Sequence, residues 1–128
     1  MFEIGDIVSI YAPIAGHDKY HLCVRVGADG AASQFMFLNS DPSFAGCHAI
    51  ACQRISCIPP SETGVTAFSF TIIPRYTDAQ LKLYKAKKLG VLEPNVAAEL
   101  LPIAERARGL NRLERDTVVA ALKLICGI

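Results

Sequence analysis

The string His17-Asp18-Lys19 carries three neighbouring groups able to bind or transfer protons. It directly follows Pro13-Ile14-Ala15-Gly16, a run with the proline and glycine punctuation of a turn. Loops carry much of the chemistry of small proteins, although an exposed turn residue with no role is an equally good reading of His17. A second cluster, Cys47, His48, Cys52 and Cys57, has the thiolate and imidazole groups that zinc prefers. It lacks the close Cys-x-x-Cys pair of a zinc or redox centre, and strand alternation would turn Cys52 away from Cys47 and Cys57. Buried cysteines acting as small hydrophobes fit better. Positive charge is densest at Lys82, Lys85, Lys87 and Lys88, which reads as the solvated face of a helix.

These groups need elements to hold them. Residues 7 to 12 and 21 to 26 mix β-branched, aromatic and polar residues in short runs, as half-buried strands do. Phe35-Met36-Phe37-Leu38 is continuous and apolar, suited to a strand covered on both faces, and it breaks at Asn39-Ser40-Asp41-Pro42. Residues 48 to 52, 54 to 58 and 66 to 72 are further strand candidates, the last with Phe68, Phe70 and Ile72 facing inward. Short, closely spaced strands without crossover helices predict a bent antiparallel sheet or small barrel of roughly five strands over residues 5 to 73.

The pattern changes after Pro74. Thr77 with Gln80 forms a capping signature and Gly90 a stop, predicting a helix over 78 to 89. Residues 94 to 108 read as a second helix, bent or restarted near Pro102. Asn111 with Glu114 starts a third, running to about Cys126 with Leu113, Thr117, Ala120, Ala121 and Leu124 on one face and Arg112, Arg115, Asp116 and Lys123 opposite. The fold class is therefore α+β.

Composition sets limits. With 128 residues, 52% of them hydrophobic and 20% charged, the chain can bury a working core as one domain. A net charge of +1 provides no global field toward nucleic acid, so any RNA binding must come from a local patch. No apolar run reaches the roughly 20 residues that span a bilayer, and the start lacks a basic-then-apolar leader. Five cysteines, an odd number, fit free thiols in a reducing cytoplasm.

Several segments together resemble a family. Gly5-Asp6-Ile7-Val8, the loop Pro13 to Lys19, and the strand at 22 to 26 resemble the opening of the MazF/PemK (Kid-like) toxins. Phe37-Leu38-Asn39-Ser40 is similar to the family's third strand with its Thr/Ser-bearing loop, Ala51-Cys52-Gln53-Arg54-Ile55 to the strand segment after it, and Thr77 to Leu92 to its closing helix. The likeness covers about residues 4 to 92. Where the family commonly has Arg-Pro, this chain has His21-Leu22, and where Kid-like members have Arg-x-Asp it has Ala51-Cys52-Gln53.

The resemblance implies a small SH3-like antiparallel barrel with a closing helix over residues 1–92, followed by a helical C-terminal extension over 93–128. It also implies a homodimer, a small antitoxin partner, and cleavage of single-stranded RNA without metal or other cofactor. Such cleavage needs a base for the 2′-hydroxyl proton, an acid for the leaving oxygen and a cation against the developing charge. By the resemblance, His17 supplies acid or base, Ser40 holds phosphate and Arg54 stabilises charge. His21, as a partial substitute for the missing arginine, Asn39 and Gln53 contact substrate. The alternatives remain open: Asn39 and Ser40 are ordinary turn formers, His21 fits a half-buried structural histidine, and Arg54 fits a surface ion pair. A module that binds RNA or protein on the same barrel without cutting is the competing reading.

Overall fold

The computed structural model describes residues 1–128 and is α+β. Strands β1 (Asp6–Ala12), β2 (His17–Arg25) and β3 (Ser33–Asn39) form an antiparallel meander. Then come β4 (Cys47–Ala51), β5 (Val65–Ser69) and the two-residue β6 (Arg75–Tyr76). Helix α1 (Asp78–Leu83), strand β7 (Lys87–Val91), and helices α2 (Pro94–Glu105) and α3 (Arg112–Cys126) complete the chain. The sheet runs β4-β5-β3-β2-β1-β7, with β6 pairing β3 beside β5. All the pairings are antiparallel.

The barrel expected from the sequence does not close. The sheet path ends at β4 and at β7, which do not pair with each other. The physical reason lies in what covers the sheet. Ile7, Leu22, Val24, Met36, Leu38 and Phe68 share one core cluster with Val96, Leu100, Val118 and Leu122 of α2 and α3, so the helices bury the face that a closed barrel would turn inward. A smaller cluster on the other face joins Val8, Ile10, Cys23 and Phe35 to Leu81 of α1. Strand alternation distributes β1, β2 and β3 between the two layers.

Three expected elements differ. Residues 54 to 58 are not a strand: Cys52–Arg54 is a 3-10 turn, with the Ile55 N–H returning to the Cys52 carbonyl. Ile72 lies beyond β5 and is 62% exposed, whereas Phe68 and Phe70 are buried as expected. The helix expected over 78 to 89 stops at Leu83 despite its complete Thr77/Gln80 capping box. Lys85 takes a left-handed φ of 53°, and the chain then runs as β7 beside β1. Gly90 allows this close passage, since a Cβ there would lie 2.7 Å from the Cβ of Cys57.

Helix α2 tolerates Pro102 and ends at Glu105. Helix α3 has its Asn111/Glu114 box and a left-handed Gly127 cap, but buries Val118, Ala121 and Leu122; Leu113 and Leu124 are 76% and 65% exposed. No helix is long and apolar enough to cross a membrane. The cysteines are free thiols, and no group of three or more His, Cys, Asp or Glu side chains is gathered closely enough to hold a metal ion.

Candidate functional site

The β1–β2 hairpin presents His17. Ala12 pairs with His17 across the ladder, and the turn between them closes with the Gly16 N–H on the Ala12 carbonyl at 2.8 Å. Gly16 has φ +72°, a conformation that glycine adopts without strain. His17 is thus the first residue of β2, not part of the loop, and alternation sends His17, Lys19 and His21 to the same face of the strand.

His17 and Lys19 open onto a cleft of about 550 Å³ that also takes in Tyr20 of β2, Asn39 at the end of β3, and Ser40, Asp41 and Phe44 of the following loop. The expected residues His17, Asn39 and Ser40 are therefore brought together. His17 is exposed, and its Nδ1 lies 2.8 Å from the Asp18 carbonyl. A carbonyl only accepts, so Nδ1 carries the proton and donates; in the neutral ring Nε2 is then the free lone pair. The Lys19 ammonium sits 5.1 Å from the centre of the Phe37 ring, a cation–π contact, and belongs to none of the chain's ion pairs.

The loop after β3 is shaped by local bonds. Ser43 donates to Asp41 from both its hydroxyl, at 2.7 Å, and its backbone N–H, at 2.9 Å. Chiefly the hydroxyl bond holds the Asp41 carboxyl below its ordinary pKa. Thr63 donates to the Ser40 carbonyl, and Ser40 lines the cleft. Asn39 Nδ2 makes a long contact of 3.9 Å to Cys47 Sγ. Phe44, 56% exposed, offers a ring at the rim.

The other expected residues lie elsewhere. Arg54 is on the 3-10 turn, where Nη1 donates to Glu99 Oε1 of α2 at 2.7 Å, and it lines a crevice with Cys57 and Val91 rather than the His17 cleft. His48 reaches the same carboxylate at 3.4 Å, and the two contacts, Arg54 first, lower the Glu99 pKa. Gln53 is exposed on that turn, 3.8 Å from Cys52 Sγ.

His21 cannot stand in for a cation. It is 1% exposed, ringed by Phe35, Phe37 and Tyr76, and burial drives its pKa down from 6.5 to about 4. Its Nδ1 meets the Lys19 carbonyl at 3.1 Å, and its Nε2 the Tyr76 hydroxyl at 3.3 Å. It is a structural member of an aromatic cluster.

Lys19 is the group whose importance the sequence understated. The sequence names it only as a neighbour of His17 in a turn; its two-residue spacing from His17 matters once both lie on a strand. Comparison of the chain with protein-family models, with curated proteins and with solved structures gives no match.

Proposed function

We propose that the protein is a toxin-like endoribonuclease that cuts single-stranded RNA without metal, with the cleft between β2 and the loop after β3 as its site. One observation carries this reading: His17, with a free Nε2, lines an open cleft together with Lys19, Asn39 and Ser40. Nε2 takes the 2′-hydroxyl proton, the 2′-oxygen attacks phosphorus and the bond to the 5′-oxygen breaks. The leaving oxygen takes a proton from water or from the Lys19 ammonium, leaving a 2′,3′-cyclic phosphate. Lys19 sets positive charge against the phosphorane, the role first given to Arg54, which is engaged by Glu99. Tyr20 and Phe44 supply ring faces on which bases stack. Resemblance to the MazF/PemK toxins over residues 4 to 92 supports the same reading, and with it a homodimer and a small antitoxin partner.

The non-catalytic alternative is favoured by one feature: His17 is the only histidine on the cleft, so no second imidazole serves as the acid. The test is incubation of purified protein with mixed single-stranded RNA in excess chelator. His17→Ala is expected to slow cleavage by about 100- to 10,000-fold, and Lys19→Ala by about 100-fold. Arg54→Ala leaves the rate unchanged. Retarded but uncut RNA, with retardation lost in Lys19→Ala, would establish the binding module instead. Equal cutting by the wild type and the His17 and Lys19 variants would reject the site. If a neighbouring small reading frame encodes the antitoxin, its product should co-purify with this chain and suppress cleavage.

A further inference from the structure

Helix α3 turns its sequence-expected apolar face only partly onto the core. Leu113, Thr117, Ala120 and Leu124 of that face line an open groove of about 770 Å³ against the sheet, within the roughly 300–1,000 Å³ of ligand sites. Its sheet wall holds a row of three polar residues. Arg25 of β2 and Arg75 of β6 pair from opposite sides with Gln34 of β3, so their side chains stand abreast on one face.

The row depends on an irregularity. The ladder shifts between Cys23 and Arg25, so that both Val24 and Arg25 line the groove although they are adjacent in sequence. In unbroken alternation Arg25 would point toward the α1 layer.

The row is also unsatisfied from within. Neither guanidinium takes part in the chain's ion pairs, and Asp116, the only acidic residue on the wall, pairs with neither. Gln34 is 8% exposed and makes no side-chain hydrogen bond. No buried polar atom lacks a partner, so its amide must meet solvent through the groove it lines. Two forked cations and a largely buried amide, facing apolar walls, suit a planar anion with an apolar tail.

We propose that this groove binds a carboxylate-headed amphiphile, the carboxylate on Arg25, Gln34 and Arg75 and the chain along Leu113, Ala120 and Leu124. The site is separate from the His17 cleft and independent of the reading given to it.

Calorimetric titration of the purified protein with decanoate tests the proposal, with decanol and acetate as head-less and tail-less controls. Saturable one-to-one uptake of decanoate is expected below its self-association concentration, with both controls at least about tenfold weaker. The double variant Arg25→Gln/Arg75→Gln is expected to bind decanoate at least about tenfold more weakly, from loss of charge-assisted contacts. Ala120→Trp, on the opposite wall, should weaken it by obstruction, and His17→Ala should bind as the wild type does. No saturable uptake by the wild type, decanol bound as tightly as decanoate, or undiminished uptake by either folded groove variant would overturn the proposal. Circular dichroism establishes which variants are folded, and the two act from different elements, so misfolding of one leaves the other decisive.

Discussion

At the scale of single residues, the histidines separate by environment rather than by type. His17 keeps a free ring nitrogen in an open cleft, His48 meets Glu99, and His21 is held neutral inside an aromatic cluster. The last has a thermodynamic consequence. Burial lowers the folded pKa of His21 from 6.5 to about 4, so below 6.5 the unfolded chain binds a proton that the folded chain refuses. Stability should therefore be fully retained above pH 6.5 and fall as the pH drops toward 4, by up to about 3 kcal/mol. Lys19, whose charge acts in the same direction, and Tyr76 are the titratable groups against the ring. Denaturant unfolding at pH 7, 6 and 5 should show this loss, and His21→Gln should flatten it. An equal slope in the variant would place the proton uptake elsewhere. Asp41 and Glu99, whose pKa values are lowered, begin to lose their contributions only as the pH falls to their ordinary carboxyl values of 3.8 and 4.5, below the pH 7, 6 and 5 points of that comparison.

At the scale of elements, the two capping boxes mark helix starts well, while packing determines where the helices end and which face they bury. Helix α3 is the clearest case. Leu122 is fully buried between α2 and the sheet, and Leu124, two positions on, borders the open groove. Leu122→Ala is expected to cost about 2–5 kcal/mol by leaving a cavity. Leu124→Ala should cost less than about 1 kcal/mol, because little of that side chain leaves water on folding. Chemical denaturation of the two variants measures this directly. Similar losses at both positions would mean that α3 is rotated about its axis relative to the structure described. In α1 the complete capping box does not sustain a long helix, because β1 offers Lys87–Val91 a ladder and Lys88 an ion pair with the buried Asp6 at 3.2 Å.

For the whole molecule, the open sheet leaves two unpaired edges, β4 and β7. Lys87 and Lys88 discourage edge pairing on β7. Edge β4 carries no such charge along Cys47-His48-Ala49-Ile50-Ala51, apart from a histidine beside Glu99. The homodimer proposed with the toxin reading is therefore expected to form through β4, and light scattering at high micromolar concentration should return the mass of two chains. Ala49→Lys, an exposed change at that edge, should return it to one. A single-chain mass for the wild type would refute the dimer, and a dimer indifferent to Ala49→Lys would refute the edge.

Much of this architecture is local and was legible from the residues themselves. The short mixed runs of β1 and β2, the apolar run of β3, the Thr77/Gln80 and Asn111/Glu114 boxes, and the α+β class follow from residue type, periodicity and turn chemistry. The grouping of His17 with Ser40 is expected only from the family resemblance, and there with Arg54, which lies elsewhere; the structure puts His17, Asn39 and Ser40 at neighbouring ends of β2 and β3. The tertiary structure decided what depends on distant partners. Strand β7 exists because β1 has a free edge, Arg54 is occupied because α2 brings Glu99 to it, and the barrel stays open because α2 and α3 fill one face of the sheet. The Arg25–Gln34–Arg75 row arises from three strands and one bulge, and its pieces lie far apart in sequence. Side-chain type and spacing determine which face a residue can show, whereas burial and pairing, set by elements remote in the chain, determine what it meets there.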